Sequence, residues 1–203
     1  MAFTYFFRDK KTLDLIGQRI VPALRARRFI NVWDAGCAMG PEPYSVAMIF
    51  RENMGDFAFR NVKIYATDVD NTNQFGEIID KALYPIEQVK RIDSEFLQKY
   101  FSPDDEKQNF KILDEIRNVV RYQKHDLLTL QPIRQGLALI ICKNVLLHFS
   151  AEERVRVIRM FYDALDDNGF LALEQTQRMP DCLTDLFERI STQSQIFRKR
   201  NGS

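Results

Sequence analysis

The sequence predicts an α/β protein built on a parallel sheet. Two observations predict this fold class: short apolar segments alternate with amphipathic helical segments, and a turn of small residues follows the first apolar segment. Hydrophobic residues make up 45% and charged residues 28% of the 203 residues, which is typical of a globular protein that buries a core. We expect a single domain that covers residues 1–203.

A helix and a buried strand are the first predicted elements. The helix covers residues 10–28, and its apolar stripe consists of Leu13, Ile16, Ile20 and Leu24. Pro22 is expected to kink or divide this helix. Residues 29–33 (FINVW) form the strand, which ends in the turn DAGCAMG at residues 34–40. The next helix begins near Pro41, because proline is tolerated in a first helical turn.

Later segments continue the alternation. Residues 62–66 and 137–142 are short apolar strands, and a helix over residues 151–165 precedes a strand at residues 170–174. Ser150 and Glu153 are placed to form a capping box for that helix. One stretch departs from the alternation of strands and helices. Residues 84–122 predict an inserted helix followed by an antiparallel hairpin, with strands near residues 110–113 and 118–122.

Charge and cysteine usage exclude several classes of function. The 29 basic and 28 acidic residues leave a formal charge of +1, which favours neither nucleic acid nor an anionic membrane. Cys37, Cys142 and Cys182 form no CxxC pair, and the chain has only two histidines, so a disulfide framework or a metal site is not expected. No apolar run reaches about 18 residues. We expect a cytoplasmic protein.

Polar residues follow three of the predicted strands. They are Asp34, Asp68 and Asn144. In doubly wound sheets, ligands bind beyond the carboxyl ends of the strands, so these residues are candidates for a binding site. The turn at residues 34–40 lacks the GxGxxG spacing of a pyrophosphate site, which favours a nucleoside compound without phosphates. The alternative is that these polar residues only stabilise turns.

Four segments resemble successive motifs of the chemotaxis-receptor glutamate methyltransferase (CheR) family. They are TYFFR (residues 4–8), WDAGCAMGPEPYS (33–45), ATDVD (66–70) and CKNVLLHF (142–149), and their order and spacing match the family as well. The likeness extends from Thr4 to about Arg198. It implies a Rossmann-like class I SAM-dependent methyltransferase fold with a small antiparallel β-subdomain inserted at about residues 84–122. The family's N-terminal helical domain is absent from this sequence.

The resemblance also implies a cofactor, a partner and a set of site residues. The cofactor is S-adenosyl-L-methionine (SAM), the product is S-adenosyl-L-homocysteine, and the partner is a protein substrate, the cytoplasmic helices of a chemoreceptor. Arg8 and His148 are the implied catalytic residues. The implied cofactor-binding residues are Thr4, Arg8, Gly36, Glu42, Asp68, Asp126, Leu127, Asn144 and Val145. Within that set, Asp68 is expected at the ribose, and Asp126 and Leu127 beside the adenine.

Each of these assignments has a plainer alternative. Arg8 could be an ordinary exposed arginine, and Glu42 could only complement a helix dipole. Asp68 could be a turn residue, and His148 could be structural.

The substrate side departs from the family pattern. His148 stands where the family has tyrosine, Lys143 where it has arginine and Ala138 where it has aspartate, and residues 174–177 read EQTQ instead of a GHSE-like segment. These departures leave two alternatives open. The chain could be a SAM-binding sensor or scaffold without transfer activity, or a methyltransferase with a different acceptor.

Overall fold

A seven-stranded sheet forms the centre of the fold in a computed structural model that describes residues 4–104 and 108–201. In chain order the strands are β1 (Ile30–Ala35), β2 (Val62–Asp68), β3 (Leu83–Pro85), β4 (Phe101–Asp104), β5 (Asn109–Ile112), β6 (Val120–Lys124), β7 (Leu137–Cys142), β8 (Leu165–Leu173), β9 (Phe187–Arg189) and β10 (Ile196–Lys199). The central sheet has the order β6-β2-β1-β7-β8-β10-β9. A small second sheet has the order β3-β5-β4.

Helices connect these strands. They are α1 (Lys10–Leu15), α2 (Val21–Leu24), α3 (Pro41–Phe59), α4 (Phe75–Lys81), α5 (Ile86–Val89), α6 (Ser94–Tyr100), α7 (Asp114–Arg117) and α8 (Ala151–Ala164). Short 3-10 turns occur at Leu127–Thr129, Leu146–His148 and Asp181–Leu186. In the part of the chain that the structure describes, no helix is both long and apolar enough to cross a membrane.

The central sheet is doubly wound, which confirms the predicted α/β class. Strands β6, β2, β1, β7 and β8 are parallel, whereas β10 runs antiparallel to both β8 and β9. The strand order changes direction between β1 and β7. In sheets of this kind the ligand crevice lies at that switch point, outside the carboxyl ends of the strands.

The central strands are buried on both faces. All six residues of β7 are buried, which explains why this strand reads as a continuous apolar run instead of an alternating one. One core cluster includes Ile16 and Val46, from the α1–α3 side of the sheet, and the other includes Ile158 and Phe161 of α8. Because helices cover both faces of the sheet, the ends of its strands are where polar side chains can be accommodated.

The first helix is divided, as the position of Pro22 predicted. A π-helical turn over Ile16–Ile20 separates α1 from α2. Pro22 has no N–H, and its ring would clash with the carbonyl of residue 18 in a regular helix. The wider π-helical turn ends at Ile20, two residues before Pro22. The helix ends at Leu24, so the prediction that it continued to residue 28 was too long.

The strand predicted near residues 118–122 is present, but the prediction that it belongs to the antiparallel hairpin was wrong. Val120–Lys124 is β6, which pairs in parallel with β2 at the edge of the central sheet and takes no part in the hairpin. The antiparallel hairpin is formed by β4 and β5, and β3 pairs with the other side of β5. Alternation of apolar and polar residues indicates a strand but does not identify its partner, because the pairing is set by distant residues.

The capping box predicted for α8 is present. The hydroxyl of Ser150 accepts a hydrogen bond from the Glu153 N–H at 3.2 Å, and the Ser150 N–H donates to the Glu153 carboxylate at 2.8 Å. This start fixes where the chain turns from the 3-10 turn at Leu146–His148 into α8. The capping box therefore lies two residues beyond His148, one of the predicted site residues.

Candidate functional site

A cavity of about 770 Å³ opens beyond the carboxyl ends of β1, β2, β6 and β7. Its volume is typical of a small-molecule or cofactor site. The structure brings together all ten residues that the sequence predicted for the site, because each of them lines this cavity: Thr4, Arg8, Gly36, Glu42, Asp68, Asp126, Leu127, Asn144, Val145 and His148.

The turn after β1 approaches the β7 end closely. Gly36 has a positive φ of 115°, and a Cβ atom at this position would lie 2.1 Å from Cγ2 of Val145. The N–H groups of Gly36 and Cys37 donate to the Thr67 carbonyl at 2.8 and 3.0 Å. Only glycine combines this backbone conformation with this contact. The turn is therefore fixed between the β2 end and Val145.

Asp68 fixes the floor of the cavity from the end of β2. Its two carboxylate oxygens accept hydrogen bonds from the N–H of Ala38 at 3.0 Å and from the N–H of Asp70 at 3.2 Å. A carboxylate has about four acceptor sites, so these two bonds leave capacity for donors in the cavity. Ribose hydroxyls are donors of the kind that this carboxylate can bind.

A buried cation lies at the end of β7. The Lys143 side chain is 2% exposed, and its ammonium lies 2.8 Å from the Glu42 carboxylate and 3.7 Å from that of Asp9. Burial alone would lower the pKa of Lys143, but the charge of Glu42 and its hydrogen bond raise it, so the side chain is charged. The sequence analysis missed this role, although a lysine directly after six apolar residues was a visible signal.

Asp34 lies beneath the cavity instead of lining it. The residue is fully buried, and neither carboxyl oxygen has a hydrogen-bond partner among the described residues. Burial, followed by the negative charge of Glu42, raises the pKa of Asp34 well above its ordinary value, while Lys143 opposes this shift. The prediction that Asp34 belongs to the binding surface is therefore corrected.

The segment of residues 4–9 crosses the cavity and contributes Thr4 and Arg8 to its lining. Phe6 is buried edge-on against Tyr84 and Phe101, with ring centroids 4.9 and 5.4 Å apart. The Arg8 guanidinium donates to the side-chain oxygen of Asn144 at 3.2 Å. This contact across 136 positions of sequence distinguishes Arg8 from an ordinary surface arginine.

His148 lies at the exposed rim of the cavity, at the end of the 3-10 turn Leu146–His148. The apolar side chains of Val69, Leu128 and Leu147 are also on this rim, with 43–49% of their surface exposed. The mouth of the cavity is therefore bordered by one imidazole and three apolar side chains.

His125 is a second histidine of the cavity that the sequence analysis did not assign. It packs edge-on against Trp33 at 5.7 Å between ring centroids, and burial lowers its pKa, so it is neutral at pH 7. The remaining lining residues that were missed are Ala38, Thr67, Val69, Leu128, Lys143, Leu147 and Phe149. Most are small or apolar, and such residues give no signal in a sequence until the fold places them.

The lining suits a particular kind of ligand. Glu42, Asp68 and Asp126 supply carboxylates, while Leu127 and Val145 supply apolar surface. Carboxylates accept from hydroxyl and ammonium donors and attract positive charge, and apolar walls accommodate an aromatic ring. A positively charged nucleoside compound, such as SAM, combines all of these features.

Comparison with known proteins gives the same assignment. The family described as "CheR methyltransferase, SAM binding domain" matches residues 2–196. A chemotaxis protein methyltransferase from Listeria innocua is 30% identical over 176 residues, covering 86% of this chain and 64% of the relative. Chemotaxis protein methyltransferase 2 from Vibrio cholerae is 27% identical over 184 residues, covering 87% of this chain and 62% of the relative. The chain thus spans a little under two thirds of these relatives.

Among solved structures, an O-methyltransferase family protein from Burkholderia thailandensis resembles 87% of this chain, with 13% identity, a TM-score of 0.49 and 40% of that protein covered. The family match, in contrast, extends over nearly the whole chain, including the turn after β1 and the β7 end. The chain therefore belongs to the CheR methyltransferase family and contains its SAM-binding domain.

Proposed function

We propose that this protein transfers a methyl group from SAM to glutamate side-chain carboxylates of a protein, a chemoreceptor. The observation that carries this proposal is that the ten residues predicted from the family resemblance line one cavity, in which Arg8 contacts Asn144. The Arg8 guanidinium at the β7 end is a cation that can bind the carboxylate of an acceptor.

The cavity supports a placement for each part of the cofactor. We assign Asp68 to the ribose hydroxyls, because its carboxylate has remaining acceptor capacity. Asp126 and Leu127 are assigned to the adenine, Glu42 to the amino-acid portion, and Asn144 with Val145 to the floor near the methyl group. Thr4 and Gly36 complete the lining.

Orientation is the main task of the protein in this reaction. Bound SAM supplies a methyl carbon that a carboxylate oxygen attacks as the carbon–sulfur bond breaks. A glutamate has a reference pKa near about 4.3, so it is ionised at neutral pH and needs no general base. Arg8 aligns this carboxylate, and Asn144 holds Arg8. His148, at the rim, donates a hydrogen bond to the acceptor.

The mouth of the cavity supports a protein acceptor. Val69, Leu128 and Leu147 expose apolar surface around it, and such surface is suited to contact with a macromolecule more than to a small polar acceptor. We place the reaction in the cytoplasm, because an exposed free thiol such as that of Cys182 persists in a reducing compartment.

A transfer assay tests this proposal. The purified chain is incubated with SAM labelled in the methyl group and with cytoplasmic chemoreceptor fragments, and base-labile methyl ester is counted. We expect ester formation, and Arg8→Met should lower kcat/KM by about 10- to 100-fold, the loss of one or two charged hydrogen bonds. The control is Arg60→Met at an exposed site, which should leave the rate unchanged.

The same assay distinguishes the alternatives. SAM binding without ester on any carboxylate acceptor would reject the proposal and support a sensor or scaffold. Transfer to small carboxylic acids but not to receptor fragments would support a methyltransferase with a different acceptor.

A further inference from the structure

Lys143 connects three segments that meet at the cavity. It follows directly after β7, its partner Glu42 lies in the first turn of α3, and its other partners belong to the segment of residues 4–9. Besides the Glu42 and Asp9 carboxylates, the ammonium lies 3.5 Å from the backbone carbonyl of Arg8, to which it donates. An ammonium has three donors, so Lys143 can serve all three groups at once.

Arg8 is held at both ends by consecutive residues. Lys143 binds its backbone carbonyl, and Asn144 binds its guanidinium at 3.2 Å. Two neighbouring contacts, one to the main chain and one to the side chain, therefore contribute to the position of the guanidinium in the cavity. Without the contact from Lys143, the backbone that carries the Arg8 guanidinium would be less firmly placed.

Glu42 depends on Lys143 in a different way. The Glu42 side chain is only 11% exposed, and its carboxylate lies 2.8 Å from the Lys143 ammonium. Removal of one partner from a buried ion pair leaves the charge of the other partner uncompensated. Lys143 is therefore the partner that fixes the Glu42 carboxylate in the lining of the cavity.

We propose that Lys143 is a positioning residue of the cofactor site: it holds the Glu42 carboxylate in place for SAM. This inference rests on the proposed placement of Glu42 at the amino-acid portion of SAM. It goes beyond that placement in what it says of Lys143. The positive charge of SAM would repel the Lys143 ammonium, and yet Lys143 favours SAM binding by holding Glu42.

Calorimetric titration with SAM at neutral pH tests this role. We compare the wild type, Lys143→Met, Lys143→Arg, Glu42→Gln and the double variant Lys143→Met/Glu42→Gln. Without the cation, the Glu42 carboxylate loses the contact that holds it in place, so the Kd of Lys143→Met should be at least about fivefold higher than that of the wild type. Lys143→Arg, which keeps the charge, should restore the wild-type Kd.

The double variant separates positioning from mere stabilisation. If Lys143 acts through Glu42, then Lys143→Met should weaken binding by less than about twofold in the Glu42→Gln background. Lys81→Met is the matched control, since Lys81 pairs with Glu77 at an exposed site. It should leave the Kd unchanged.

Several outcomes would overturn the inference. Independent effects of the two substitutions, or a folded Lys143→Met with the wild-type Kd, would reduce Lys143 to a structural residue while the proposed function stood. If Lys143→Met did not fold, the double variant, which removes both charges, would be compared with Glu42→Gln alone. A double variant that binds SAM at least about tenfold more weakly than Glu42→Gln would contradict a role through Glu42. Absence of SAM binding by the wild type would overturn the inference and the proposed function together.

Discussion

At the scale of single residues, the cavity rests on a buried acid that does not line it. Asp34 is fully buried without a hydrogen-bond partner among the described residues, yet Glu42 and Lys143 lie near enough to shift its pKa. Burying a lone carboxylate is unfavourable, and protonation relieves it. Burial therefore favours the neutral form of Asp34 beneath the cofactor site.

This state of Asp34 predicts a pH dependence of stability. Its pKa in the folded protein is raised above 3.8, so between these two values the folded state holds the additional proton. The free energy of unfolding should then fall as pH rises through this window, by about 1.4 kcal/mol for each unit of the shift. Asp34→Asn does not titrate and should lack this fall.

Urea unfolding of both proteins between pH 4 and pH 8 checks the prediction. The stability of the wild type relative to Asp34→Asn should decline with rising pH, since titrating groups far from Asp34 contribute equally to both proteins. A difference that is constant across this range would show that Asp34 is ionised in the folded protein.

Motif residues could be predicted at this scale, but the residues that support them could not. Asp68 and Asn144 follow apolar strands, so their place at the sheet edge was visible in the sequence. Lys143 also follows a strand, but its burial depends on Glu42 and Asp9, which are far away in sequence. Asp34 follows a strand in the same way and yet lies under the turn, because only packing decides which side of a turn a residue faces.

At the scale of elements, the turn after β1 determines how closely the two halves of the sheet approach the ligand. The positive φ of Gly36 and its proximity to Val145 join this turn to the β7 end. Gly40 has a similar role at the start of α3, where a Cβ atom would lie 2.6 Å from the Tyr84 hydroxyl of the small sheet. The turn therefore contacts both sheets.

Gly36→Ala should destabilise the protein for two separable reasons. The new Cβ would collide with Val145 Cγ2, and alanine is strained at a positive φ by about 1–2 kcal/mol. We expect a total loss of about 2–5 kcal/mol in the free energy of unfolding, since overpacking adds about 1–3 kcal/mol to the backbone strain.

A double variant separates these two contributions. Val145→Ala removes the colliding methyl group, so in that background Gly36→Ala should lose only the backbone contribution of about 1–2 kcal/mol. Chemical denaturation of the four proteins measures this. An equal loss in both backgrounds would mean that the Val145 contact is not limiting.

Local sequence patterns predicted the helices and strands better than they predicted which strands pair with each other. The alternation of strands and helices, the division of the first helix near Pro22 and the capping box at Ser150 are local features, and the structure contains them. The places of β6 and β10 in the central sheet were not predicted. Both depend on pairing between residues that are distant in sequence, for which a single strand carries no signal.

At the scale of the whole molecule, the segment of residues 4–9 joins the small sheet to the cofactor site. Phe6 packs against Tyr84 of β3 and Phe101 of β4, and the next residue but one, Arg8, reaches Asn144 beyond β7. The N–H of Phe7 also donates to the Ser45 hydroxyl on α3 at 2.8 Å. One short segment thus contacts three parts of the fold.

Phe6→Ala should therefore affect both stability and binding. Removal of a buried phenylalanine side chain is expected to lower the free energy of unfolding by about 3–5 kcal/mol. The Kd for SAM should rise as well, because Thr4 and Arg8 lose their anchor. Thermal unfolding and calorimetric titration measure these effects, and Phe57→Ala, at a side chain 85% exposed, is the control. An unchanged Kd in folded Phe6→Ala would show that the segment is held without its aromatic contact.

The position of β10 has a consequence for biosynthesis. This strand, the last of those described, lies between β8 and β9, so one side of the sheet stays open until Ile196–Lys199 has left the ribosome. Until then the edge of β8 is unpaired, and unpaired edges are the surfaces through which nascent chains associate. All the residues that line the cavity precede β10 in the chain, so the edge of β8 is completed after the ligand-binding end has been synthesised.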